Sequence, residues 1–97
     1  MTQYRRGVRA EYRARDDLLR EGYHTVFRAA GSHGPADLIA VGDKHVKFVQ
    51  VKSSVLAKPP SFAAELKALR DWPVPDGNMK ELRIWLRNKR AWVVMPA

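Results

Sequence analysis

Over residues 4–21, the positions Tyr4, Val8, Glu11, Tyr12, Arg15, Leu18 and Leu19 recur at helical spacing, which predicts a helix that turns this row toward the core. Gly22 stands where a helix C-terminal cap belongs. The β-prone residues Tyr23, Thr25, Val26 and Phe27 predict a strand over 23–30. Residues 31–36, Gly-Ser-His-Gly-Pro-Ala, have the composition of a loop. A short apolar strand follows over 37–41, then a turn at Gly42-Asp43. In a third strand over 45–53, alternation sets Val46, Phe48, Gln50 and Lys52 on one face and Lys47, Val49, Val51 and Ser53 on the other. A linker over 54–60 contains Pro59-Pro60, and Ser61 is placed to cap a helix over 62–71 whose apolar face carries Phe62, Leu66 and Leu69. After a proline-containing loop, strands over 80–86 and 91–95 are joined by Arg87-Asn88-Lys89-Arg90 as a hairpin. The order α-β-β-β-α-β-β predicts one α/β domain over 1–97, a central mixed sheet of about five strands flanked by helices.

Four polar positions break this pattern. Glu11 lies in the apolar row of the first helix, and a buried carboxylate is costly unless it is paired or binds a cation. Asp37 opens an apolar strand directly after a Gly/Pro loop, a common place for catalytic groups. Gln50 and Lys52 share a strand face with Val46 and Phe48, and one step of alternation separates them by ~7 Å. Each has an ordinary alternative: Glu11 paired with Arg15, Asp37 in a turn, Gln50 and Lys52 on a solvated edge; Ser32, in the loop before Asp37, is by default a loop residue.

Taken together, Glu11, Pro35-Ala36-Asp37 and Gln50-Val51-Lys52 resemble the PD-(D/E)xK nuclease signature. The runs Arg6-Gly7-Val8-Arg9-Ala10-Glu11, Leu18-Leu19-Arg20-Glu21-Gly22-Tyr23, Val26-Phe27-Arg28-Ala29-Ala30-Gly31-Ser32 and Asp37-Leu38-Ile39-Ala40 are similar, in order and spacing, to the archaeal-type Holliday junction resolvases. The close resemblance covers about 4–54; the remainder agrees in outline. It implies a restriction-endonuclease-like core and a Mg²⁺- or Mn²⁺-dependent endonuclease that nicks four-way DNA junctions symmetrically as a homodimer, leaving 5′-phosphates. No small-molecule cofactor is implied. The family's active-site positions fall on Glu11, Ser32, Asp37, Gln50 and Lys52, and its basic DNA-contacting positions fall near Arg9 and Arg28. The metal ligands expected on this basis are Asp37, Gln50 and the carbonyl of Val51, with Glu11 beside them. Gln50 stands where the family has an acid; an amide oxygen ligates a hard cation without contributing charge, so weaker metal affinity is expected.

Charge supports an anionic partner. The formal net charge is +8, from 18 Lys+Arg against 10 Asp+Glu, and Arg outnumbers Lys 11 to 7, which suits bidentate phosphate contact. Arg5, Arg9 and Arg13 recur at i, i+4 and i+8, and with Arg6 and Arg28 form the expected DNA track; Arg20 adds to it. The chain has no cysteine, which excludes disulfides and cysteine-bound zinc. No apolar run approaches the ~18 residues of a membrane span, and the charged N-terminus has no signal-peptide core. These features predict an intracellular, cytoplasmic protein, in host cytoplasm if phage-encoded. Phe62, Leu66, Leu69, Trp72, Trp85 and Trp92 are expected to supply core and part of a dimer face. The rival readings are a related nuclease acting on other branched or duplex DNA, a catalytically lapsed dimer that grips branched DNA, and a basic RNA-binding protein.

Overall fold

The computed structural model describes residues 3–29, 34–55 and 62–97, with the backbone alone at 3, 4 and 6. The elements are α1 (Gln3–Arg20), β1 (Thr25–Arg28), β2 (Leu38–Val41), β3 (Val46–Ser54), α2 (Ala63–Asp71), β4 (Met79–Leu86) and β5 (Ala91–Pro96). The five strands form one mixed sheet in the order β1-β2-β3-β4-β5. Only the β3–β4 pair is parallel. A parallel pair needs a crossover, and the chain makes it through α2. Gly22 ends α1 at φ 109, with its N–H on the Leu19 carbonyl and the Tyr23 N–H on that of Leu18. This is a Schellman closure, which favours glycine for its positive φ.

Two apolar layers sandwich the sheet. On one face Ala10, Ala14 and Leu18 of α1 pack on Leu38, Ala40, Val49 and Val51, flanked by Trp85 and Trp92. On the other, Leu69 packs on Leu82, Ile84 and Leu86, flanked by Phe62, Leu66 and Trp72. The buried row of α1 therefore differs from the expected one: Tyr12 and Leu19 are exposed, and two alanines face in. Small side chains let the helix settle close on the sheet, and close packing outweighs the larger apolar area of Tyr12 and Leu19. The residues expected to supply part of a dimer face are packed within the single chain, and the exposed large apolar side chains include Phe27 and Val94.

Polar groups tie α1 to β4 and β5. Lys47, Glu81 and Arg83 are buried on the α1 face. Lys47 Nζ meets Glu81 Oε1 at 2.7 Å, while Arg83 bonds Glu81 and reaches both carboxylate oxygens of Glu21 at 2.8 and 2.9 Å. Trp92 Nε1 donates to Asp17 Oδ2 at 2.7 Å. Beyond α2, Lys80 Nζ donates to the carbonyls of Arg70 and Trp72, satisfying the helix C-terminal end. The expected cap Ser61 lies outside the described residues, and Phe62 precedes α2 without a side-chain cap. Among the described residues, no helix is long and apolar enough to cross a membrane.

Candidate functional site

Asp37 precedes β2 and is bound to β3 on both sides of Gln50. Its N–H donates to the Val49 carbonyl at 2.8 Å, and its Oδ2 accepts the Val51 N–H at 2.8 Å. Leu38 pairs with Val49 in the β2–β3 register, so one further step sets Asp37 opposite Gln50. The Gln50 Oε1 atom is buried and has no hydrogen-bond partner among the described residues. A buried acceptor in this state is open to a water, an ion or another group that the protein does not itself supply.

The carboxyl of Asp37 is pushed above its usual value by burial. The Val51 N–H and the positive charges of Lys52 and Arg28 act in the opposite direction without overcoming that cost. Asp37 thus sits within the electrostatic reach of two cations from different strands. Gln50 and Lys52 pair in register with Leu82 and Ile84 of β4, so both belong to the α2 face of the sheet.

Glu11 reaches this end of the sheet from the opposite side. Arg28 pairs in register with Leu38, on the α1 face, and its Nε and Nη2 donate to Glu11 Oε2 at 3.2 and 2.9 Å. The guanidinium also lies 5.3 Å from the centre of the Tyr12 ring. Glu11 therefore meets Arg28 rather than Arg15, whose guanidinium lies over the Tyr12 ring and bonds Asp16.

The structure brings Asp37, Gln50, Val51 and Lys52 together and joins Glu11 to them through Arg28. Ser32 and the side chain of Arg6 lie outside the described residues. Arg5 is exposed. Arg9 and Arg13 occupy the flank of α1 opposite Glu11: Arg13 stacks over Trp85 at 4.2 Å, and both line a cleft with Ser53, Arg87 and Arg90. Arg28, expected on the DNA track, is partly exposed and ion-paired with Glu11. Arg87 and Arg90 were legible only as turn residues, because nothing in their local spacing relates them to α1.

The oxygens at Asp37 and Gln50 suit a hard divalent cation, whose preferred donors are carboxylate and carbonyl oxygen. The unpartnered Gln50 Oε1 is the atom that fits this use most directly. Glu11 fits it only after Arg28 lets go. Among the described residues no group of three His, Cys, Asp or Glu is clustered as a metal site. Neither family models nor curated proteins give a match to this sequence.

Proposed function

We propose that the chain is a Mg²⁺- or Mn²⁺-dependent endodeoxyribonuclease with a restriction-endonuclease-like core, resolving four-way DNA junctions as a homodimer by paired symmetric nicks that leave 5′-phosphates. The observation that carries the reading is Asp37 bound on both sides of Gln50, whose buried oxygen has no partner among the described residues, with Lys52 acting on the same carboxyl. This follows the order of the nuclease signature read in the sequence.

In this proposal Asp37, Gln50 and the Val51 carbonyl hold the cation, with Glu11 joining when it leaves Arg28. A divalent ion held by these residues would supply Lewis-acid chemistry toward the scissile phosphate and would make a water more acidic. Lys52 orients the attacking water and offsets negative charge developing on the phosphate. The high positive charge draws the DNA in. Two coordinated nicks require two sites, and a twofold dimer supplies them from one chain.

The test is incubation of the purified protein with a labelled synthetic four-way junction in Mg²⁺, with EDTA as control, alongside flap, nicked and linear duplexes. Symmetric cleavage of the junction, lost in Asp37→Asn while junction binding persists, is the expected result. Cleavage of the other substrates in preference would make the protein a related nuclease of different substrate choice. Binding with no metal-dependent cleavage would leave a lapsed branched-DNA-binding protein.

A further inference from the structure

A cleft of about 350 Å³ opens between α1 and the β4–β5 turn, lined in part by Arg9, Arg13, Arg87 and Arg90 together with Ser53 and Trp85. We infer that this cleft seats a backbone phosphate of DNA. Four arginines line it, and none of them forms an ion pair with a carboxylate among the described residues. Asp16 and Asp17 border Arg9 and Arg13 on the adjoining surface of α1, but the four arginines outnumber them, and an anion relieves the excess positive charge.

The cleft is organised before any ligand arrives. Arg13 is stacked on the Trp85 ring, Trp85 packs edge-on against Trp92 at 5.1 Å, and Trp92 is fixed to Asp17. The face of Trp85 is thus covered by a guanidinium, so the cleft offers charge and hydrogen bonds rather than a stacking platform for a base. Among the described residues the buried Nε–H of Arg87 has no acceptor, which makes it a donor available to an external oxygen. Its backbone is held by its N–H on the Ser54 carbonyl at 2.8 Å.

Arg90 adds an independent observation. It has φ 50, the only non-glycine residue with positive φ among those described. Glycine or asparagine takes that conformation at lower cost. An arginine retained where the turn itself favours glycine points to a use for its side chain. The planar fork of arginine suits phosphate oxygens. Ser53 of the cleft is next to Lys52 in sequence but on the other face of β3, so a strand seated here lies on the α1 side of the sheet, the side of Glu11, while Gln50 and Lys52 are on the α2 side. The inference rests on the proposed function only in taking the anion to be DNA; it does not require that the DNA be cut.

The test is fluorescence anisotropy of a labelled four-way junction with the full chain in EDTA, over a range of KCl concentrations. Arg87→Gln/Arg90→Gln is compared with Lys44→Gln/Arg70→Gln, which removes the same charge from exposed positions outside the cleft. The cleft variant is expected to bind about tenfold more weakly, with the slope of log K on log salt shallower by about 1, the change for one phosphate contact. The control is expected to change little. Arg90→Gly, which relieves the backbone, is expected to melt no lower than the wild type yet still bind more weakly. Equal weakening in the cleft and control variants, unchanged binding in Arg90→Gly, or no salt-sensitive binding by the wild type would overturn the inference. Absence of Mg²⁺-dependent cleavage with these binding differences intact would count against the nuclease reading alone.

Discussion

Arg28 grips Glu11 through two nitrogens on a single carboxylate oxygen, and the same guanidinium acts on the charge of Asp37. One cation therefore stands between the helix acid and the strand acid. For Glu11 to face a metal ion, its bond to Arg28 has to open, and a DNA phosphate competing for Arg28 provides a means. Arg28→Gln should then free Glu11 and lower the Mg²⁺ concentration that half-saturates cleavage by about tenfold, a size typical for changes just outside a metal's ligands. Junction binding in EDTA should weaken at the same time. A Mg²⁺ titration of cleavage checks this; an unaltered requirement would remove Glu11 from the metal's surroundings.

Burial raises the Asp37 carboxyl above its ordinary value, so the folded protein holds this proton more tightly than the unfolded chain does. The sign of the linkage follows. The contribution is fully favourable below the unfolded value and is lost as pH rises through the folded one, because the ionised carboxylate is poorly solvated in the folded protein. Asp37→Asn retains an oxygen to accept the Val51 N–H and removes that charge. Its melting temperature at pH 7 without metal should exceed that of the wild type, and the gap should close below about pH 4. Thermal melts across that range give the answer, and added Mg²⁺ should raise the wild-type melting temperature but not that of the variant.

The elements themselves were legible in the sequence because periodicity is a local property. The seven predicted elements match the observed ones in type and order, and every shared boundary agrees within about two residues. What was not legible depends on tertiary approach. The alanines at 10 and 14 gave a weaker apolar signal than Tyr12 and Leu19, yet only a small side chain allows the helix to lie close to β2 and β3. Lys47, Glu81 and Arg83 are ordinary surface residues by composition; their burial arises from a parallel register between strands more than 20 residues apart. At the candidate site, Asp37, Gln50 and Lys52 stood out as polar groups at apolar positions. The partner of Glu11 did not, because Arg28 lies 17 residues away and on another element.

The Lys47–Glu81–Arg83–Glu21 network ties the C-terminal end of α1 to the centre of the sheet. For Lys47 and Arg83 burial works against the charge, and the bonds to Glu81, joined for Arg83 by Glu21, more than compensate. Arg83→Met keeps the bulk but leaves Glu81 with half its partners. Removing one member of a buried ionic group costs about 3–5 kcal/mol, a large part of the ~5–15 kcal/mol available to a small domain. Replacing Lys47, Glu81 and Arg83 together by apolar residues of similar volume should recover most of the loss. Urea unfolding of the single and triple variants tests both statements, and a single variant as stable as the wild type would show the network to be incidental.

The loop that delivers Asp37 is seated on α2 through Gly34. A Cβ at that position would stand 2.7 Å from Cζ2 and 3.1 Å from Cε2 of Trp72. The indole has little room to yield, since its ring meets Phe48 edge-on at 5.2 Å. Gly34→Ala must therefore displace either the ring or the loop, at about 1–3 kcal/mol, and displacement of the loop would carry Ala36 and Asp37 away from β3. The expected result is a lower melting temperature, a shifted tryptophan emission and weakened junction cleavage. Trp72→Leu makes room for the added methyl, so the double variant should be less destabilised than the two single changes predict when added. Strict additivity would mean that Gly34 and Trp72 do not hold the loop in place.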